Sequence, residues 1–135
     1  MAGGIVQLVE PGQPTLLVFF SSWCAPSRHE APRLVDLARR YAPRGLRVIG
    51  VAIGEVEGKE GLARFAEEAR VEFPIVLGSP AATRAYGEMP VTPTVLLVGK
   101  AGTVVGQLSG MRQMGQLEGM LDNMLNGVHA SAAPR

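Results

Sequence analysis

The residues best placed to do chemistry lie in one run, Ser21-Ser22-Trp23-Cys24-Ala25-Pro26-Ser27-Arg28, which holds the single cysteine of the chain. It follows the apolar segment Thr15–Phe20 (TLLVFF) and precedes a stretch whose apolar residues recur at helical spacing. A thiol at such a strand-to-helix junction meets the unpaired amides and the positive dipole end of the helix. Both stabilise a thiolate and lower the thiol pKa below its free value of about 8.5. Pro26 suits a first helical turn, where its fixed φ fits and its missing donor is not needed. Trp23 offers an apolar wall to an approaching partner. The competing reading, a cysteine buried as a small hydrophobe, fits a junction poorly. One thiol can form neither an internal disulfide nor a thiolate metal cage, so disulfide-scaffold and zinc-finger readings fall away.

The elements that must hold this junction follow from patterning. The chain has 135 residues, room for one core and not for two ordinary domains. Its 47% hydrophobic and 19% charged residues are a globular composition. Apolar runs alternate with amphipathic stretches, the rhythm of an α/β domain. Ile5–Val9 reads as a weak first strand, and Thr15–Phe20 as a central strand buried on both faces. Ala31, Leu34, Val35, Ala38 and Tyr41 predict a helix over Ala25–Tyr41, kinked by Pro32. Arg47–Ile53 is the next buried strand, Lys59–Val71 a second helix, and Pro74–Leu77 a short strand before a small helix near Ala81–Tyr86. Thr94–Val98 and Thr103–Leu108 form a hairpin over Gly99-Lys100-Ala101-Gly102. A last helix runs from about Arg112 to Leu125. Residues 1–126 are expected to form the domain and residues 127–135 a disordered tail.

Phe19-Phe20-Ser21-Ser22-Trp23-Cys24-Ala25-Pro26, followed by Arg28-His29-Glu30-Ala31-Pro32, resembles the active-site segment of thioredoxin-fold thiol–disulfide oxidoreductases, closest to the TlpA/ResA-like branch. The family pattern is Trp-Cys-x-Pro-Cys, a basic residue, then Glu-x-Pro. Every one of those positions matches except that Ser27 stands where the second, resolving cysteine belongs. Downstream, Ala85-Tyr86-Gly87 and Met89-Pro90-Val91-Thr92-Pro93-Thr94 resemble the segment leading into the family's cis-proline, which places it at Pro93. The resemblance covers about Thr15–Leu125. It implies a thioredoxin fold, a mixed sheet flanked by helices, with the extra segment Pro74–Tyr86 inserted before the cis-proline.

By that resemblance Cys24 is the nucleophile, Ser27 marks the resolving position, and Glu30 is the candidate proton acceptor. Trp23, Ala25, Pro26, Thr92 and Pro93 line the substrate groove. Thioredoxins proper carry a buried Asp on the strand six residues before the nucleophile; here that position is Val18, which cannot move a proton. For Glu30 the competing reading is an exposed carboxylate favoured by the helix dipole. His29 reads as a surface residue. Exchange needs a thiolate that attacks and a second thiol that resolves the mixed disulfide. Ser27 cannot resolve, so the chain is expected to stall with its partner attached. Two origins for Ser27 stay open: a deliberate Cys-to-Ser change, or a natural monothiol protein resolved by an external thiol.

The same residues admit other classes. A peroxiredoxin shares the fold and needs one peroxidatic cysteine, but Trp23-Cys24-x-Pro26 is a disulfide-exchange signature. A Cu(I)-binding chaperone could use Met111, Met114, Met120 and Met124 on the last helix, although Met114 and Met124 share an apolar face with Leu117 and Leu121 and read as core. The resemblance implies protein disulfide or dithiol substrates, an upstream thiol donor, a monomer, and electron flow through sulfur alone with no cofactor or metal. Cytochrome c maturation is its family-level setting. The formal charge of +1 argues against nucleic acid as a partner. TLLVFF is too short to span a bilayer, so any membrane link would be a tether outside this sequence. Met1-Ala2-Gly3-Gly4 shows no signal-peptide features. The compartment is periplasmic by resemblance, or cytoplasmic if Met1 is the native start.

Overall fold

The computed structural model describes residues 12–22, 24–53, 58–78 and 93–126. Its centre is strand β1 (Thr15–Phe20), all six residues of which are buried. β1 pairs in parallel with β2 (Arg47–Ala52), which pairs in parallel with the short β3 (Ile75–Leu77). On its other side β1 pairs antiparallel with β4 (Thr94–Val98), and β4 with β5 (Val104–Ser109). The mixed sheet therefore runs β3-β2-β1-β4-β5. Side chains alternate across it, as a pleated strand requires. Leu16, Val18 and Phe20 enter the larger core, whereas Leu17 and Phe19 join Ile49, Val51, Leu96 and Val98 on the opposite face.

Helix α1 (Ala25–Tyr41) covers the larger core with Ala31, Leu34, Leu37 and Tyr41. Its bounds are those the apolar spacing predicts, and it continues through Pro32 as helix. A 3-10 turn (Ala42–Arg44) and Gly45, in the left-handed region at φ 93°, end it. Helix α2 (Gly58–Ala69) adds Leu62 and Phe65 to the same core. The C-terminal segment departs from the expected single helix. It starts earlier, as α3 (Gly110–Gln113), passes through a 3-10 turn (Met114–Gln116), and resumes as α4 (Leu117–Leu125). Gly110 at φ 78° and the Gln113 side chain, whose Oε1 accepts the Ser109 N–H at 2.7 Å, set the early start. Met114, Leu117, Leu121 and Met124 are all buried in the larger core, as their shared apolar face predicts.

Polar contacts fasten this segment to the end of α1. The Tyr41 hydroxyl donates to Asp122 at 2.9 Å, Arg44 donates to the same carboxylate at 2.8 Å, and Arg40 pairs with Glu118 and with Asp36. Arg44 first, then the Tyr41 hydroxyl, hold the Asp122 carboxyl below its ordinary range. The hairpin turn closes with Gly99 N–H on Thr103 O at 3.0 Å. Among the described residues no helix is long and apolar enough to cross a membrane. The strand expected over Ile5–Val9, the inserted segment beyond residue 78 and the tail from 127 lie outside the described residues.

Candidate functional site

Cys24 is the N-cap of α1, with extended dihedrals (φ −85°, ψ 126°) and a proline in the first turn. It is partly exposed and forms no disulfide. The turn that delivers it is closed by its own N–H, which donates to Ser21 O at 3.1 Å, while its carbonyl accepts the Arg28 N–H at 3.0 Å. The first of these makes a tight turn over residues 21–24, and the second opens the helix. Arg28 reaches back over the turn: Nη1 donates to Ser22 O at 3.1 Å. Its guanidinium also stands 5.9 Å from the Phe65 ring centroid and 3.6 Å from Glu68. Ala25 and His29 are exposed, and Pro26 partly so.

Ser27 lies one turn into the helix and is only 3% exposed. Its Oγ accepts the Ser21 N–H at 3.3 Å. It borders a narrow cavity of about 20 Å³ whose other walls are apolar, among them Val18, Ala31, Leu34, Phe65 and Pro93. Among the described residues its lining offers one hydroxyl, fewer than the two to four polar partners a buried water needs. The structure thus brings position 27 and Pro93 onto one apolar surface. Pro93 is buried, and its carbonyl accepts the Gly110 N–H at 2.8 Å, which ties it to the start of α3.

Glu30 is 7% exposed, which answers the exposed-carboxylate reading. Its Oε1 is buried with no hydrogen-bond partner among the described residues, and Arg33 Nη1 approaches it only to 3.8 Å. A buried carboxylate oxygen left with unused acceptor capacity is unusual. Glu30 does not line the cavity shared by Ser27 and Pro93. Trp23 and Thr92, the two remaining groove residues expected from the sequence, lie outside the described residues. Sequence reasoning missed the anchoring role of Ser21, although the Ser-Ser pair before Trp23-Cys24 was visible. Among the described residues no cluster of three or more His, Cys, Asp or Glu is placed to hold a metal.

Residues 3–107 match the AhpC/TSA family. The thiol-disulfide oxidoreductase ResA of Geobacillus thermodenitrificans is 33% identical over 100 residues, which are 73% of this chain and 56% of that protein. The chain therefore spans little more than half the length of this relative. Two solved structures share the fold at 24% identity. A thioredoxin-family thiol:disulfide interchange protein from Chlorobium tepidum aligns over 84% of this chain and 81% of its own, with a TM-score of 0.74. A thioredoxin-like protein in its oxidised form aligns over 92% and 86%, with a TM-score of 0.78. The fold is thioredoxin-like, as the sequence resemblance implies.

Proposed function

We propose, for a chain that belongs to the AhpC/TSA family in its TlpA/ResA-like branch, that it carries out thiol–disulfide exchange on protein substrates and that its Cys24-x-x-Ser27 form holds the mixed disulfide. One observation carries the reading: a partly exposed cysteine caps α1, one turn from a buried residue 27 that shares an apolar wall with Pro93. The amides of the first helical turn favour a thiolate at Cys24. That thiolate attacks a substrate disulfide. A bond forms between the Cys24 sulfur and one substrate sulfur, the substrate S–S bond breaks, and the departing sulfur leaves as a thiolate that takes up a proton.

Resolution requires a second thiolate at position 27. Ser27 presents a hydroxyl, which is not ionised near neutral pH, and the mixed disulfide persists. An external thiol can then attack it, releasing reduced substrate and regenerating Cys24 after a further exchange. Glu30 is the proton acceptor for a thiol at position 27 in this reading; its burial and its open Oε1 support that role.

The experiment is direct. The reduced chain is mixed with a disulfide-bonded protein substrate and followed by intact mass under non-reducing conditions. A one-to-one adduct should accumulate, persist for hours, disappear with dithiothreitol, and fail to form in Cys24→Ala. No adduct at Cys24, or an adduct that still forms in Cys24→Ala, would contradict the reading.

A further inference from the structure

The three hydrogen-bonding groups of Ser21 each do something different, and together they tie both positions of the redox pair to the sheet. Its N–H donates to Ser27 Oγ at 3.3 Å. Its carbonyl accepts the Cys24 N–H at 3.1 Å. Its hydroxyl donates to Ile53 O at 2.5 Å. This last bond has a structural logic. Ile53 N–H already donates to Phe20 O at 2.8 Å, one step past the last paired residues of β1 and β2. The Ser21 hydroxyl continues that ladder by one more bond, at the point where the backbone N–H of residue 21 has turned away toward Ser27. An alanine or glycine here would let the chain leave the strand in the same direction, but the turn would hang from β1 alone.

We infer that Ser21 is a positioning residue for thiol–disulfide exchange: its hydroxyl pins the strand end to β2, so that the Ser21 backbone holds the Cys24 amide and the side chain of residue 27 in fixed relation. Ser21 touches neither substrate nor sulfur in this role and acts through the backbone it anchors. Ser21 itself is 4% exposed. The same anchor reaches position 27, because the N–H that donates to its side chain belongs to Ser21. The inference rests on the exchange reading above for its chemical meaning, though the anchoring itself can be tested without a substrate.

The test compares the full chain with Ser21→Ala, which removes the hydroxyl, and Ser21→Thr, which keeps it. The charged groups nearest the turn, Arg28 on the Ser22 carbonyl and the Glu30–Arg33 pair, are unchanged in both. Alkylation of Cys24 by iodoacetamide is followed from pH 5 to pH 10. Ser21→Ala should slow the reaction at pH 7 about fivefold, the size of one net hydrogen bond. It should also move the profile to higher pH with the same plateau, and Ser21→Thr should restore both. An unchanged profile in a folded Ser21→Ala overturns the inference, as does a loss that Ser21→Thr does not restore. Should Ser21→Ala fail to fold, hydrogen exchange in the unaltered chain decides: the Cys24 amide protected to the same degree as β1 supports the anchor, and one exchanging as freely as a loop overturns it. If the unaltered chain itself alkylates like an ordinary thiol, the exchange reading is what fails, and amide protection still reports on the anchor.

Discussion

Replacing Val18 by Asp tests whether the floor beneath residue 27 is as dry as its lining implies. Val18 is 2% exposed, sits in the middle strand between Gly50 and Val95, and faces the cavity bordered by Ser27 and Pro93. Among the described residues no charged residue lines that cavity, so a carboxyl placed there is expected to be desolvated without a partner. Such burial raises a carboxyl pKa by up to about 3–5 units. Three units at about 1.36 kcal/mol each give about 4 kcal/mol of lost stability at neutral pH. The sign follows from linkage. A folded-state pKa above the unfolded one leaves stability least affected below the unfolded value near 4, and the loss grows as pH rises toward the folded value. Val18→Asn supplies the uncharged control of similar shape. Urea unfolding of both variants at pH 4 and pH 8 should show near-equal stability at pH 4 and a deficit of about 4 kcal/mol for Val18→Asp at pH 8. A deficit that does not change with pH would mean that the carboxylate is solvated or paired, and the dry-cavity reasoning would be wrong.

Other outcomes are expected from the same structure. Glu30→Gln, made in a chain that also carries Ser27→Cys, should slow resolution of the mixed disulfide roughly a hundredfold at neutral pH while leaving the first attack by Cys24 nearly unchanged, the range expected for a lost general base; quenched-flow with acid trapping separates the two steps. Tyr41→Phe removes the bond to Asp122 and should cost about 1 kcal/mol by thermal or urea unfolding. Because Asp122 is held below its ordinary range, its contribution is present at neutral pH and fades as pH falls through that lowered value, so the two proteins should converge in acid. Gly78→Ala should cost about 1–3 kcal/mol, since the new methyl would lie 2.7 Å from Val51 Cγ1, a stiff branched side chain in the sheet. Gly106→Ala should cost less than about 1 kcal/mol, because the atom it meets is the flexible end of Met120. Equal losses in the two glycine variants would contradict that distinction.

Much of this was legible in the residues. TLLVFF reads as a strand buried on both faces because nothing polar interrupts it after Thr15, and the structure buries all six positions. The helix over Ala25–Tyr41 was marked at its start by Pro26 and at its end by Pro43 and Gly45, so its limits agree with the expected ones. The C-terminal helix was harder. Its apolar spacing is continuous from Met114 to Met124, and the spacing does not reveal the 3-10 turn that interrupts it. The early start at Gly110 is further held by its N–H on the Pro93 carbonyl, a long-range bond that no local pattern encodes.

The candidate site divides in the same way. The reactive position of Cys24 was visible because a strand end, a proline and a helical pattern meet there. The burial of Glu30 was only half visible. Its spacing from Ser27 put both on one side of the helix, but its open Oε1 depends on how far Arg33 reaches. The Ser21 anchor was not visible at all, since its partner Ile53 lies 32 residues away and is reached only once β1 and β2 have paired. Contacts between sequence-distant backbone groups leave no trace in residue periodicity.

The central claim is that Cys24 and position 27 form an exchange pair blocked at its second step. It is tested most directly by disulfide-reducing turnover of this chain beside its Ser27→Cys variant, with dithiothreitol as the electron source and a disulfide-bonded protein as substrate. The expected result is turnover by the variant well above that of the unaltered chain, whose rate is limited to the attack of dithiothreitol on its mixed disulfide at Cys24. Equal turnover by both, or no gain from the second cysteine, would contradict it.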